Sequence, residues 1–194
     1  TKLINSSKIT KYNLARIKWV KPKNTKHVAL VIGQIEDDMS IKMGAYDIDT
    51  NYKLLKKVRE INPDAYIVFK QHPDVVSGRR KNCHNSAEKE LYDEILNDGD
   101  VCSLFEDIDS LHTMTSLSGF EALLRGVTVF CYGAPFYSGW GLTNDLITIS
   151  RRKNKIDIYQ LVAAALIDYP TYFSYKTNSF TTPEKVIEEI LLEK

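Results

Sequence analysis

Residues 28–33 read VALVIG, an unbroken run of apolar and small residues that opens directly onto the polar stretch QIEDD. A strand buried on one face alternates apolar and polar side chains, so a run without alternation marks a strand covered on both faces. Such a strand needs helices above and below it, and the chain supplies them. Over residues 49–62, Leu54, Leu55, Val58 and Ile61 fall at helical spacing, with Asp49 or Thr50 as N-cap and Pro63 just past the end. A second apolar run, AYIVFK at 65–70, ends in QHPDVVSGRR, whose proline and glycine make it a loop. Residues 86–97 read as a helix and VCSLF at 101–105 as a third strand, followed by SLHTMTS, a helical FEALLRG and the apolar run VTVFCYG. Strands alternating with helices in this way predict an α/β fold, a doubly wound parallel sheet of Rossmann-like type. The stretch 132–145, rich in glycine and aromatics, has no periodicity and reads as an ordered loop. Helices are expected over residues 156–167 and 183–192, the latter capped by Thr181 or Thr182.

With 194 residues, 43% of them hydrophobic, the chain holds one such domain over 27–194, after a lead-in of residues 1–26. A net charge of +1 creates no global field to gather nucleic acid, so any anion must be bound locally. Cys83, Cys102 and Cys131 are odd in number and lack CxxC spacing, which suits a reducing compartment; the Cys83–His84 dipeptide has no second pair with which to hold zinc. No apolar stretch approaches the roughly 20 residues that span a bilayer, and the first residues lack the apolar centre of a signal peptide. The absence of an initial Met suggests an excised fragment, and the expected setting is cytoplasmic.

Ligands of open parallel sheets sit beyond the carboxyl ends of the strands. Three stretches fall there. Glu36, Asp37 and Asp38 follow the first strand; if extended, Glu36 and Asp38 face one side and Asp37 the other, suiting a nucleophile, an acid/base, a divalent-metal site or a solvated loop. Lys70, His72, Arg79 and Arg80, in a loop stiffened by Pro73, suit a phosphate, although a turn histidine explains His72 equally well. Thr115, Ser116 and Ser118 precede a helix, with Gly119 allowing close backbone approach and Glu121 placed to accept from ribose hydroxyls; a capping box of Ser118 with Glu121 accounts for the same letters. In the 132–145 loop, Tyr137 and Trp140 either pack on the sheet or wall a pocket. GxGxxG, GxxxxGK[ST] and GxSxG are all absent, which removes the usual dinucleotide, P-loop and nucleophile-elbow readings and leaves sugar-nucleotide or carboxylate–metal phosphate chemistry.

QIEDDMSIKMG, KQHPDVVSGRR, HTMTSLSGFEALLRG and above all YGAPFYSGWGLTND resemble the bacterial capsule polysaccharide biosynthesis proteins that are β-Kdo transferases, from about Lys11 to the C-terminus. The resemblance implies a GT-B enzyme of two Rossmann halves, of which this chain is the C-terminal, donor-binding one, the N-terminal acceptor half belonging to a longer parent. It implies retaining transfer of Kdo from CMP-Kdo to a lipid-linked or oligosaccharide acceptor, with no cofactor or metal and CMP-Kdo as substrate. By position, Asp38 becomes the nucleophile and Glu36 the acid/base. His72, Ser116 and Ser118 would hold the CMP phosphate and Glu121 the ribose. Lys70 and Arg79 would neutralise the phosphate or the Kdo carboxylate. A lipid acceptor would make the parent peripheral at the inner face of the cytoplasmic membrane. A nucleotide-binding module without catalysis and a metal-dependent phosphotransferase built on Glu36, Asp37 and Asp38 remain as alternatives.

Overall fold

The computed structural model describes residues 18–79, 86–97 and 99–192. In chain order the elements are β1 (Val28–Ile32), α1 (Met39–Gly44), α2 (Asn51–Ile61), β2 (Tyr66–Lys70), the short α3 (Pro73–Val76), β3 (Glu94–Leu96), β4 (Ser110–Thr113), α4 (Ser118–Leu123), β5 (Thr128–Cys131) and β6 (Asn144–Asp145), then α5 (Ile158–Ala163), the hairpin β7 (Tyr172–Ser174) and β8 (Ser179–Thr181), and α6 (Pro183–Leu192). The first six strands form one sheet in the order β3-β2-β1-β4-β5-β6. Every pairing in it is parallel.

Successive side chains of β1 enter two different cores. Val28, Leu30 and Ile32 pack with Leu104, Phe105, Phe120, Ala122 and Leu161 on one face. Ala29 and Val31 pack with Ile41, Leu54, Leu55 and Val58 on the other. Burial on both sides is the reason the strand reads VALVI without alternation, and the doubly wound sheet expected from it is present. Of the lead-in, residues 18–26 are described; Trp19 reaches the first core and donates to Glu94 at 2.9 Å.

Three expected elements differ. Residues 101–105 are not a strand: Val101–Leu104 is a 3-10 helix whose N-cap, Asp100, accepts from the Cys102 N–H. A five-residue apolar run does not distinguish a strand from a buried helical turn, and here the turn carries the chain across the sheet from β3 to β4. Nor is 86–97 one helix; it is a 3-10 turn at Ser86–Glu90 followed by β3. The loop after β2 contains α3, with Pro73 at its start and His72 as N-cap. At the C-terminus, α5 continues into a π-helical turn over Ala164–Asp168, and the β7–β8 hairpin, which has no strong alternation, precedes α6. Cys102 and Cys131 are free thiols, and burial pushes both up from the ordinary cysteine range. Cys83, His84 and Arg80 lie outside the described residues.

The glycine- and aromatic-rich loop after β5 buttresses the sheet. Tyr137 is fully buried and donates its phenol proton to the Ser116 carbonyl. Its ring occupies the space a side chain on Gly119 would need: a Cβ there would lie 2.7 Å from Tyr137 Cζ. Arg152 fastens the loop by donating to the carbonyls of Pro135 and Ser138, both at 2.6 Å. The same guanidinium lies over the ring of Trp140, whose indole N–H is held by the Phe136 carbonyl.

Inside the sheet runs a polar chain: His27 Nε2 to Ser110 Oγ at 2.9 Å, Ser110 Oγ to His112 Nε2 at 3.0 Å, and His112 Nδ1 to the Tyr132 hydroxyl at 2.9 Å. His112 is 0% exposed and stacks on Phe130. Burial, and secondarily His27 nearby, lower its pKa from 6.5 to about 3.

Two outcomes follow from these contacts. Gly119→Ala forces a methyl group into the buried Tyr137 ring and should destabilise the fold by about 2–3 kcal/mol, read as a lower denaturation midpoint. His112 binds a proton more readily when unfolded than when folded, so stability is retained above about pH 6.5 and falls as the pH is lowered towards 3. Roughly 2 kcal/mol should be lost by pH 5, and urea titrations of His112→Gln should show a flatter pH dependence than wild type.

Candidate functional site

The carboxyl ends of β1, β2 and β4 open into a crevice of about 350 Å³. The residue that shapes it lies just past β1, beyond Gly33. Gln34 is 8% exposed, and its carboxamide oxygen accepts from Thr113 Oγ1 at 3.0 Å, Met114 N at 3.2 Å and Thr115 N at 2.9 Å. Its Nε2 donates to Thr115 Oγ1 at 2.9 Å. On the other side, Gln34 N donates to Asn51 Oδ1 and Asn51 Nδ2 donates to Gln34 O, both at 2.9 Å. One glutamine thus ties the β1 loop to the β4 loop and to the start of α2. Its cue in the sequence is slight, an amide just past a wholly apolar strand.

The carboxylates of the β1 loop part company. The segment turns instead of staying extended, so Glu36 and Asp38 do not share a side. Asp38 lines the crevice and caps α1, accepting from Ser40 N at 2.8 Å. Glu36 and Asp37 line a neighbouring cavity of about 930 Å³, where Glu36 accepts from Asn51 N at 2.7 Å. Among the described residues no three His, Cys, Asp or Glu side chains come together as a group that could hold a metal ion.

The β2 loop brings Lys70, His72 and Pro73 into the crevice. Lys70 is buried to 4% exposure and donates to the carbonyls of Asn97 at 2.9 Å and Gln71 at 3.3 Å. His72 Nδ1 accepts from Asp74 N at 3.2 Å, which assigns the neutral ring's proton to Nε2, the nitrogen that can donate to a ligand. Arg79 lies elsewhere: it is largely exposed beside the neighbouring cavity, 3.9 Å from Asp74.

From β4 come Thr115, Ser116, Ser118 and Glu121, all on the crevice wall. The capping box is absent. The N-cap of α4 is Leu117, without a side-chain cap, and it is Ser116 Oγ that accepts from Ser118 N at 3.2 Å. Gly119 is needed for Tyr137, beneath the helix, and does not line the crevice. Neither Tyr137 nor Trp140 lines it, so the expected pocket wall is instead the loop's core-facing buttress. Gly99 and Asp100, just before the VCSLF run that reads as a strand in the sequence, and Val101, at its start, complete the wall beside α4.

The crevice therefore combines a hydrogen-bonding histidine, a buried lysine, two serine hydroxyls and carboxylates at its rim, in a space suited to a small phosphorylated ligand. Among the described residues no helix is long and apolar enough to cross a membrane.

Comparison with known proteins places this arrangement in context. Residues 2–175 match the family model described as capsule polysaccharide biosynthesis protein. The capsule polysaccharide modification protein LipA of Neisseria meningitidis serogroup A is 45% identical over 100% of the chain, which spans 28% of that protein. The lipopolysaccharide-processing protein LpsZ of Rhizobium meliloti is 40% identical over 99% of the chain, or 44% of its own length. The chain thus covers less than half of either relative. Two solved structures of Thermosulfurimonas dismutans KpsC are similar to it. The β-Kdo 2,4 transferase superimposes with a TM-score of 0.85 at 34% identity, over 98% of this chain and 60% of that one. The β-Kdo 2,7 transferase superimposes with a TM-score of 0.79 at 35% identity, over 100% of this chain and 66% of that one. On the match along most of its length, the chain belongs to the capsule polysaccharide biosynthesis protein family.

Proposed function

We propose that this chain is the donor-binding Rossmann half of a retaining GT-B β-Kdo transferase that moves Kdo from CMP-Kdo to a glycolipid or Kdo-oligosaccharide primer. The observation that carries the reading is the convergence of Asp38, Lys70, His72, Ser116, Ser118 and Glu121, from three separate loops, on one crevice. The likeness to the KpsC transferases adds to it.

In this reading His72 Nε2–H and the hydroxyls of Ser116 and Ser118 donate to the CMP phosphate, and the Lys70 ammonium neutralises charge beneath it. These groups stabilise the phosphate as it leaves with the electron pair of the broken bond to the anomeric carbon. Glu121 accepts from the ribose hydroxyls. A carboxylate oxygen of Asp38 forms the new bond to the anomeric carbon. The acceptor hydroxyl then displaces Asp38 from that carbon and gives up its proton to a base, and the two inversions retain the configuration. Glu36, on the neighbouring cavity with its oxygen on the Asn51 N–H, fixes the loop that carries Asp38. The acceptor half is supplied by a longer parent, which a lipid-linked primer would draw to the inner face of the cytoplasmic membrane.

CMP at about 100 times its Kd, without added metal, should raise the melting temperature by roughly 5–10 °C, and His72→Ala should abolish most of that rise. No shift at millimolar CMP overturns the reading. Intact-protein mass spectrometry after incubation with CMP-Kdo then separates chemistry from binding. A Kdo adduct lost in Asp38→Asn supports the transferase, whereas bound CMP with an unmodified mass makes the chain a nucleotide-binding module.

A further inference from the structure

The wall formed by Gly99, Asp100 and Val101 is chemically unlike the rest of the crevice. Lys70 and His72 come from the loop after β2, and Ser116 and Ser118 from the loop after β4. Beside α4, the chain crossing from β3 to β4 contributes an apolar side chain, Val101, and a carboxylate, Asp100. Leu117 on the α4 side, 38% exposed, and Ile32 at the end of β1 add further apolar surface. Apolar side chains beside a single hydrogen-bonding edge suit a flat heteroaromatic ring, which buries its faces and keeps its edge satisfied. If the phosphate lies at His72 and the serines and the ribose at Glu121, as proposed above, the base is left to this wall.

The edge that Asp100 offers is well defined. Its Oδ1 accepts from Cys102 N at 3.0 Å, and the Cys102 thiol is its other polar neighbour. Among the described residues no cation pairs with this carboxylate. The carboxylate therefore presents acceptor capacity to the crevice. Cytosine carries an amino donor at C4, where uracil carries a carbonyl acceptor; a carboxylate accepts from the former and repels the latter. We propose that Asp100 is the specificity-determining residue that selects cytosine over uracil in the nucleotide of the donor. The inference rests on the nucleotide-binding reading of the crevice and adds to it the residue that reads the base.

Asp100→Asn provides a sharp test because the cap orients the new side chain. With its oxygen held by the Cys102 N–H, the amide NH₂ occupies the place of the second carboxylate oxygen, turning an acceptor edge into a donor edge. The shape and the cap of the 3-10 helix are conserved, so the thermal midpoint of the unliganded protein should match wild type. Titration calorimetry of CMP and UMP against both proteins reads the effect. Wild type should prefer CMP by at least about tenfold, and Asp100→Asn should lower the CMP-to-UMP affinity ratio by about tenfold or more, with UMP binding tightened in absolute terms. Glu121→Gln should weaken both nucleotides alike and leave the ratio unchanged. A ratio that survives Asp100→Asn within twofold, or one that moves with Glu121→Gln instead, overturns the inference while leaving nucleotide binding intact. Failure of wild type to bind CMP at millimolar concentration overturns the reading of the crevice itself, and the inference with it.

Discussion

A parallel sheet leaves the carboxyl ends of its strands with no partner beyond them, and in this protein one buried amide closes that gap. The Gln34 oxygen gathers a hydroxyl and two backbone N–H groups from the turn after β4, and its nitrogen holds Thr115. Three donors on one carbonyl oxygen exceed its two lone pairs, and the contact from Met114 N is correspondingly the longest. An apolar residue here would leave those donors buried without partners, at about 1–3 kcal/mol each. Because Thr115, Ser116 and Ser118 follow within four residues, the position of the crevice wall depends on this one side chain.

The same economy appears beneath the wall. The Tyr137 ring fills the volume that Gly119 leaves vacant, and its hydroxyl satisfies the Ser116 carbonyl. A loop of glycines and aromatics thus supports the crevice from below, with neither Tyr137 nor Trp140 on its lining. Arg152 in turn holds that loop through two carbonyls, so support for the crevice extends to the far edge of the sheet.

How far the crevice was legible in the sequence depended on whether a residue's surroundings were local. Ser116, Ser118 and Glu121 lie within six residues of one another just past a strand, and they do reach one wall. The Ser118–Glu121 pair also has capping-box spacing, but the chain enters α4 through helical backbone at Leu117, so no cap forms. Glu36 and Asp38 have the spacing to share a face of an extended segment, and only the turn between them sends them into separate cavities. Asp100 was hidden because the VCSLF run beside it resembles a strand, and Gln34 because its partners are about 80 residues away in the chain.

Apolar periodicity and long motifs are properties of consecutive residues, and they make the doubly wound sheet, the helices on its two faces and the family readable from the chain alone. Tertiary structure alone decided which polar groups meet. Tyr137 went to the core, Arg79 to the outer cavity, and Asp100 to the crevice. Those assignments follow from packing between segments distant in the chain, where volume and hydrogen-bond satisfaction are settled only once the layers have closed on one another.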